Sequence, residues 1–351
     1  MLGVEKRNGK KYTFLLSTLI RPHLPSDLLS KVNVVFWNFH ELYGNIDSQF
    51  KRSKIDRDVI CEVAEEMTLE SIFFVNMDPY QYVVNSYKFR RLNCKVSGIM
   101  LSLYVRRAKN GGLKQAFTTL RKRFQLYWMT LNRNVETVFV LNDKPVAQEL
   151  NNELFFPKVF DYLPDPVNID ESIVLDVPVV DRSDSETLVL VAGAISPRKN
   201  IIRIISAVSR LSGNYRLLLI GKSSADFEEE IKVHLNEKSH LKVTRVNRFV
   251  TDAELYQFYQ KADVVLVPYL NFYASSGVLN MAAYFGKPVV CGDYGLMGEL
   301  TEEFNLGVLV DVWKVSSISE GILRALKSKK IYAVQYLAEH TVDAFQDKIL
   351  N

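Results

Sequence analysis

The amino-acid sequence predicts an α/β fold with two doubly wound, Rossmann-like domains that face each other across a cleft. Short apolar runs alternate with helical periodicities along both halves of the chain, which is typical of parallel sheets joined by right-handed crossovers. The length of 351 residues exceeds the ~250–300 residues at which a single core stops growing. An acidic, proline-bearing stretch at 166–186 separates the halves and has the composition of a linker.

The first domain is expected over residues 1–165. β-Branched and aromatic runs predict its strands, and apolar side chains three to four residues apart predict its main helix. These elements are strands at Tyr12–Ile20, Val32–Phe39, Ser71–Val75, Lys95–Tyr104 and Glu136–Leu141, and a helix at Asp47–Glu70. Asp78 and His40 lie just after two of the strands and are candidate catalytic residues. For a single histidine at a strand end, a structural role is the alternative.

A long basic stretch lies inside the first domain. Between Asp78 and Glu136 the chain carries twelve lysines and arginines and no acidic residue. The pattern at 105–133 is that of a basic amphipathic helix, which suits an anionic membrane surface. Nucleic acid attracts the same charges, but no RNA-binding or helix-turn-helix motif accompanies them, so no nucleic-acid partner is expected. The alternative is that the apolar stripe faces the domain's own sheet while the charges are solvated. The stripe consists of Leu113, Phe117, Leu120, Phe124, Tyr127, Trp128 and Leu131.

The second domain is expected over residues 187–331. Its strands and helices alternate cleanly, which indicates a doubly wound sheet. The first six elements are strands at Thr187–Ala192, Tyr215–Ile220 and Leu241–Val246, and helices at about Asn200–Ser212, Ala225–Asn236 and Asp252–Lys261.

The segment 262–290 completes this series and organises the domain around it. The apolar run that Pro268 closes predicts a buried strand, and Ser275, Ser276 and Gly277 then open an apolar helix before a second buried strand. Small residues at a helix start leave backbone N–H groups uncovered, and with the helix dipole these groups form an anion site. The alternative is an ordinary N-cap in which Ser275 satisfies its own helix.

Three cations are expected near this anion site. Arg198 and Lys199 lie where the first strand of the domain passes into its first helix, and Lys222 follows the next strand. In a doubly wound sheet, ligands bind beyond the carboxyl ends of the strands, so these side chains project toward the helix start at Ser275–Gly277. Two cations and a bare helix start suit a diphosphate. A solvated basic turn is the alternative for Arg198 and Lys199.

The composition and motifs exclude several classes of protein. Cys61, Cys94 and Cys291 lie far apart, which favours a reducing compartment and argues against a structural zinc. The amino-terminal residues carry no hydrophobic signal region, and no apolar run approaches the ~20 residues of a membrane span. We therefore expect a cytoplasmic protein, with peripheral attachment to the inner face of the plasma membrane through 105–133. Neither a dinucleotide fingerprint nor a P-loop occurs in frame, and no metal-ligand cluster is present, so no cofactor or metal is expected.

From Thr187 to the carboxyl terminus the chain resembles the retaining family-four glycosyltransferases of the GT-B fold. The resemblance implies the GT-B fold, and it implies that the final helix, at about 332–351, packs back on the first domain. The segments that carry it are 193–200, the strand ending at Gly221, 249–255, 262–268, the helix into 286–290, and 306–310.

The resemblance also implies a nucleotide-diphosphate sugar as the donor. Lys199 matches a lysine that holds the diphosphate in this family, and the backbone before the central helix does the same. Two glutamates eight positions apart hold the ribose and the transferred sugar in family members. Here those places fall at Tyr273 and Met281 or, with a slip of one residue, at Phe272 and Asn280, and neither frame has a carboxylate. The amide of Asn280 can still hydrogen-bond a ribose hydroxyl.

The expected activity is glycosyl transfer, with retention implied by the resemblance, to a hydroxyl of a glycan or lipid-linked acceptor in cell-surface polysaccharide synthesis. Contacts to the base of the donor are expected at Arg248 and Val250. The cations and the helix start would stabilise the departing diphosphate. The competing hypothesis is a catalytically inactive binding or scaffolding protein with the same fold, because both glutamates are missing. An enzyme must bind a nucleoside diphosphate, whereas a scaffold need not.

Overall fold

The computed structural model describes residues 13–24, 33–44, 46–101, 113–170, 172–173, 180–327, 331 and 333–350. The chain forms two compact units. One contains Met1–Leu163 with Phe345–Asn351, and the other contains Pro164–Ala344. No helix in the described ranges is both long enough and apolar enough to cross a bilayer.

The first unit contains two parallel sheets. Strands β1 and β2 pair with each other, and strands β3 to β6 form a four-stranded sheet in sequential order. The strands are β1 (Thr13–Ser17), β2 (Asn33–Trp37), β3 (Ser71–Phe74), β4 (Lys95–Met100), β5 (Val135–Leu141) and β6 (Phe160–Leu163). The helices are α1 (Phe39–Tyr43), α2 (Gln49–Glu66), α3 (Tyr87–Arg91), α4 (Leu113–Thr130) and α5 (Lys144–Asn152).

The main core of the first unit lies between the four-stranded sheet and its helices. Met100 and Val138 on the strands and Leu126 and Met129 on helix α4 are buried in one apolar cluster. Helix α4 therefore contacts the sheet through Leu126 and Met129.

The second unit contains one six-stranded parallel sheet in the order β9-β8-β7-β10-β11-β12. The strands are β7 (Thr187–Ala192), β8 (Tyr215–Ile220), β9 (Lys242–Val246), β10 (Val264–Val267), β11 (Val289–Gly292) and β12 (Gly307–Val310). The helices up to the last strand are α6 (Ile201–Val208), α7 (Ala225–Glu237), α8 (Asp252–Lys261), α9 (Gly277–Tyr284) and α10 (Gly295–Glu303). Helices α11 (Val315–Lys327), α12 (Val334–Glu339) and α13 (Val342–Leu350) follow.

Both faces of the six-stranded sheet are covered by helices. Along β7, Leu188 and Leu190 belong to one buried cluster, whereas Val189 and Val191 belong to another on the opposite face. Successive side chains of a strand point to opposite faces, so two separate cores on one strand mean that both faces are packed. This confirms the doubly wound, parallel α/β fold class for the second unit.

Most regular elements of the first unit are shorter than expected, whereas β5 begins one residue earlier than expected, at Val135. The strand expected at Tyr12–Ile20 occupies Thr13–Ser17, because the backbone turns into a 3₁₀ helix at Thr18–His23. The strand expected at Lys95–Tyr104 is observed over Lys95–Met100, and 102–112 lie outside the described residues. Strand β6 and helix α5 were not anticipated.

The carboxyl-terminal helix is two helices rather than the single one expected at about 332–351. The break falls at His340, whose carbonyl accepts a hydrogen bond from Val167 N at 2.8 Å. Thr341 then starts the next helix, because its Oγ1 accepts from Ala344 N at 3.0 Å. Within the first unit, Phe345 and Ile349 of α13 contact an apolar cluster that contains Ile99, Phe139 and Leu163.

The described part of the stretch 166–186 is tied to the second unit. Besides the bond from Val167, Asp170 N donates to the hydroxyl of Tyr256 at 3.3 Å. Glu186, which is buried, pairs with Arg216 at 2.8 Å. The stretch was expected to be a linker, and in the structure its described residues count with the second unit.

Candidate functional site

The strand order of the second unit places a crevice between β7 and β10. After β7 the chain continues to β8 on one side of the sheet centre, and after β10 it continues to β11 on the other side. The two connections therefore leave the sheet on opposite faces. Ligands of doubly wound sheets bind at this reversal point, outside the carboxyl ends of the strands. The two loops at that point are 193–200 and 268–276, which contain most of the residues expected to bind the donor.

Asn200 fixes the end of the first loop. It adopts a left-handed conformation with φ of 62° after the 3₁₀ turn Pro197–Lys199. Its Nδ2 donates to the carbonyl of Pro268 at 3.1 Å and to that of Val312 at 2.8 Å. Because these bonds tie the loop after β7 to the end of β10, the preceding Lys199 has a fixed position.

Lys199 is a buried cation at the reversal point. Only 4% of its surface is exposed, and its Nζ donates to the carbonyl of Ala192 at 2.7 Å and to the hydroxyl of Tyr269 at 2.8 Å. An ammonium group has three N–H donors, so these bonds, within the part of the chain that the structure describes, leave one for a ligand. Burial, and secondly the charge of Arg198, lower the pKa of Lys199 to about 8. Gly193 lies next to the ammonium, because a Cβ built on it would contact Nζ at 3.5 Å, and its φ of 90° favours glycine.

Tyr269 connects this cation to the helix start. Its hydroxyl accepts the bond from Lys199 and shares a hydrogen bond with Ser276, and burial raises the pKa of Tyr269 so that the phenol stays neutral. Ser276 caps helix α9, its Oγ accepting from Val278 N at 3.4 Å. The structure therefore brings Lys199 and Ser276 together through a residue that the sequence did not single out.

The first residue of helix α9 faces open space. Gly277 is exposed, and a Cβ built on it would meet no atom within 4 Å. Its backbone is compatible with any L-residue, so the glycine is not required by its φ. The helix has an N-cap, but it is Ser276 and not Ser275, the residue named in the alternative interpretation, and the helix start still has room for an anion.

Arg198 and Lys222 lie on aromatic rings at the rim. The guanidinium carbon of Arg198 is 4.6 Å from the ring centroid of Phe272, and Nζ of Lys222 is 5.4 Å from that of Phe249. Both cations are exposed. Arg198 adjoins Lys199 at the reversal point, whereas Lys222 is held toward Phe249, past β8.

Asn280 is buried, and both the nitrogen and the oxygen of its side-chain amide are hydrogen-bonded to other residues of the second unit. Nδ2 donates to the carbonyl of Asp165 at 3.3 Å, and Oδ1 accepts from the hydroxyl of Tyr336. The Asp165 carboxyl also hydrogen-bonds Asn280 and Ser275, and burial raises its pKa. Asp165 therefore supplies a carboxyl next to the helix start in a chain that lacks one on helix α9. Its sequence position, at the end of the expected first domain and 115 residues before Asn280, gave no signal of this contact.

The expected base-binding residues lie beyond β9. Arg248 forms a two-pronged ion pair with Glu254, which lowers the pKa of Glu254 to about 2. Glu254 also accepts from Thr251 N at 2.8 Å, so the guanidinium helps to hold the start of helix α8. Val250 packs against the core of the unit. Contacts to a base at 248–250 would accordingly come from the backbone.

The candidate catalytic residues belong to the first unit. Asp78 begins a 3₁₀ turn, Asp78–Tyr80, after β3, and its N–H donates to Asn76 Oδ1 at 3.0 Å. His40 lies in helix α1, and its side chain is outside the described residues. Near Asp78, the buried carboxyl of Asp56 accepts from the hydroxyls of Tyr43 and Tyr80 at 2.6 Å and 3.1 Å. Burial raises the pKa of Asp56, and the sequence did not point to this cluster.

The apolar stripe of helix α4 points away from the sheet. Phe117, Leu120, Phe124, Trp128 and Leu131 are exposed, while Tyr127 is partly buried and the side chain of Leu113 lies outside the described residues. The alternative in which the stripe faces the domain's own sheet is therefore wrong for these five side chains. The side chains of helix α4 that face the sheet are those of Leu126 and Met129.

The charge of Lys199 predicts opposite pH dependences for folding and for anion binding. Unfolded lysine has a pKa near 10.5, so between pH 8 and 10.5 the unfolded chain binds more protons and the free energy of unfolding rises with pH, by at most ~1.4 kcal/mol per unit. Binding of a nucleoside diphosphate weakens over the same range, because the ammonium loses its charge. Thermal unfolding and calorimetric titration from pH 7 to 10 measure the two slopes. If wild type and Lys199→Met show the same slopes, the assignment to Lys199 is wrong.

Residues 176–337 match the family model for glycosyl transferases group 1. No curated protein matches the chain in sequence. Among solved structures, the sucrose-phosphate synthase of Thermosynechococcus elongatus is 15% identical, with a TM-score of 0.67 over 91% of this chain and 82% of that one. A glycosyltransferase from Rickettsia africae is 13% identical, with a TM-score of 0.67 over 97% of each chain. WaaG, a glycosyltransferase involved in lipopolysaccharide biosynthesis, is 16% identical, with a TM-score of 0.63 over 93% of this chain and 87% of WaaG.

At these identities the structural likeness establishes the fold, which is the mixed α/β, GT-B fold of the glycosyltransferases. The family match is independent of that likeness and covers the loops that carry Lys199 and Ser276. Residues 176–337 of this chain are therefore similar to the group 1 glycosyl transferases.

Proposed function

We propose that the protein transfers a sugar from a nucleotide-diphosphate donor to a hydroxyl acceptor, and that the diphosphate binds between Lys199 and the start of helix α9. The observation that carries the proposal is the chain of contacts from Lys199 through Tyr269 to Ser276, which joins a buried cation to an uncovered helix start. Each element alone is common, but both favour an anion at the same place.

The chemistry assigned to the site is stabilisation of a leaving group. As the bond from the sugar to the diphosphate breaks, negative charge accumulates on the phosphate oxygens. A fixed ammonium and fixed backbone N–H groups are most effective against charge that develops in the transition state, because they need no reorganisation. The sugar is left oxocarbenium-like and open to attack by the acceptor hydroxyl. Retention of configuration and independence from metal remain predictions, the latter tested by chelation.

The acceptor that we propose is a glycan or lipid-linked precursor of cell-surface polysaccharide. WaaG, with a similar fold, is described as acting in lipopolysaccharide biosynthesis. The exposed stripe of helix α4 and the basic cluster Arg121–Arg123 favour work at an anionic membrane surface, where each basic residue near the surface contributes ~1 kcal/mol. Attachment of a cytoplasmic protein to the inner face of the plasma membrane is the corresponding location.

A panel of nucleoside diphosphates and nucleotide sugars tests the donor class by thermal stabilisation. A ligand at about one hundred times its dissociation constant adds ~2.7 kcal/mol to the free energy of unfolding. We expect a rise in the melting temperature with the diphosphates of one base and little with its monophosphate. The absence of a shift with every compound would favour the scaffolding alternative.

A further inference from the structure

Seven of the large apolar side chains that are exposed on the first unit lie in or near helices α4 and α5. Five form the stripe of helix α4, and two lie in the connection after helix α5. The seven, with their exposed fractions, are Phe117 (73%), Leu120 (66%), Phe124 (58%), Trp128 (40%), Leu131 (43%), Leu154 (97%) and Phe155 (79%). Large exposed apolar patches on proteins mark interaction surfaces.

The loop at 153–156 is fastened to the edge of the stripe. Glu153 accepts an ion pair from Arg123 of helix α4, and the ring centroids of Phe156 and Tyr127 are 6.1 Å apart. The two residues between these contacts, Leu154 and Phe155, are consequently held beside helix α4. We propose that helix α4 and the loop 153–156 form one two-element anchor, in which Leu154 and Phe155 enter an anionic bilayer next to the aromatic stripe.

The charges around this surface favour an anionic bilayer as its occupant. Arg121 and Lys122 lie on helix α4 without an acidic neighbour between Asp78 and Glu136 in the sequence. Glu153, the acidic residue of the loop 153–156, is paired with Arg123. Helix α4 itself therefore carries a positive charge, which matches an anionic lipid surface.

The shape of the surface also distinguishes a bilayer from a protein partner. A helix face and a loop tip with a nearly fully exposed leucine protrude, whereas docking of a peptide helix or strand needs a groove or an open sheet edge. Tryptophan and phenylalanine on one face of a basic helix are typical of helices that lie in the membrane interface. The anchor rests on the membrane attachment proposed above and not on the assignment of the donor site.

Vesicle binding by the full chain tests the anchor. Three variants are compared with wild type on phosphatidylcholine vesicles with and without phosphatidylglycerol. They are the loop variant Leu154→Ser/Phe155→Ser, the stripe variant Phe124→Ser/Trp128→Ser, and the control Val233→Ser, which removes an exposed apolar side chain from the second unit. We expect wild type and the control to bind only the anionic vesicles, less tightly in salt. Both the loop and stripe variants should bind at least about tenfold more weakly, because large apolar side chains no longer leave water.

Each of the other outcomes would contradict the proposed anchor in a different way. If the loop variant binds like wild type while the stripe variant does not, the second element of the anchor is wrong. If wild type ignores anionic vesicles, or binds neutral ones equally well, the anchor and the membrane attachment both fail. If sedimentation shows a wild-type dimer that the loop variant cannot form, a second copy of the chain covers this surface instead. The same variants should bind nucleoside diphosphates as tightly as wild type does. Failure of the anchor would then leave the assignment of the donor site unaffected.

Discussion

Replacement of Lys199 by methionine should abolish most nucleotide binding while leaving the fold intact. Methionine has nearly the length of the lysine chain, so the buried space stays filled. The lowered pKa of Lys199 indicates that burial of its charge is unfavourable, so removal of the charge stabilises the fold. This gain offsets in part the loss of the hydrogen bonds to Ala192 and Tyr269. We therefore expect a melting temperature close to that of wild type.

The expected functional loss for Lys199→Met is large. Removal of a hydrogen bond from a charged donor costs ~1.5–3 kcal/mol, so the dissociation constant for a nucleoside diphosphate should rise by about 10–150-fold. In a transfer assay kcat should fall further, by about 10²–10³-fold, if the ammonium opposes charge on the leaving diphosphate. Lys232→Met is the matched control, since Lys232 is an exposed lysine paired with Glu229 on helix α7. Unchanged binding in Lys199→Met would remove Lys199 from the site.

Substitution of Gly277 by aspartate should change stability and binding in opposite directions. The backbone of Gly277 accepts an L-residue and its side-chain direction is open. A carboxylate in the first turn of helix α9 interacts favourably with the helix dipole, by ~0.3–1 kcal/mol, so the melting temperature should stay level or rise. The same carboxylate would occupy the place proposed for the diphosphate. Two like charges about 4 Å apart near a protein surface repel by up to ~4 kcal/mol, so binding should weaken at least about tenfold.

Gly277→Asn separates charge from bulk in this experiment. Asparagine has nearly the size of aspartate but no charge, so it should weaken nucleotide binding much less. Thermal unfolding and calorimetric titration of both variants give the comparison. Equal losses in the two variants would mean that only space matters at this helix start, and no loss in either would place the diphosphate elsewhere.

The sequence was sufficient for most elements of the second unit. Strands β7 and β8 contain the apolar runs Leu188–Ala192 and Leu217–Ile220, whose side chains are buried, and their observed bounds equal the expected ones. Helix α8 also begins and ends as expected, owing to its capping box at Thr251 and Glu254. These signals come from residues that are neighbours in the sequence, so they can be recognised without knowledge of the fold.

The contacts that complete the site are not local. Tyr269 reaches Lys199 across 70 residues, and Asp165 reaches Asn280 across 115. No periodicity or spacing encodes such pairs, and Asp165 resembled any other acid of a proline-bearing connection. We expected Asn280 to contact the ribose, because its long-range partners cannot be read from the sequence. In the structure its amide is hydrogen-bonded to Asp165 and Tyr336. Its role in donor binding stays a prediction.

Helix α4 shows a different limit of sequence interpretation. It has two apolar faces, and periodicity cannot tell which of them contacts the sheet. The inner face combines Leu126 and Met129 with the buried polar residues Gln125 and Thr130, so it looked less apolar than the outer one. The apolar contacts of Leu126 and Met129 with the core of the sheet, which only the fold shows, set the orientation of the helix.

A structure of the protein with a bound nucleoside diphosphate would test the central claim most directly. The account predicts the outer phosphate within hydrogen-bonding distance of Lys199 Nζ and of the backbone N–H of Gly277. Displacement of the phosphate by Gly277→Asp in the same crystals would support the assignment. A diphosphate bound away from both Lys199 and the start of helix α9 would contradict it.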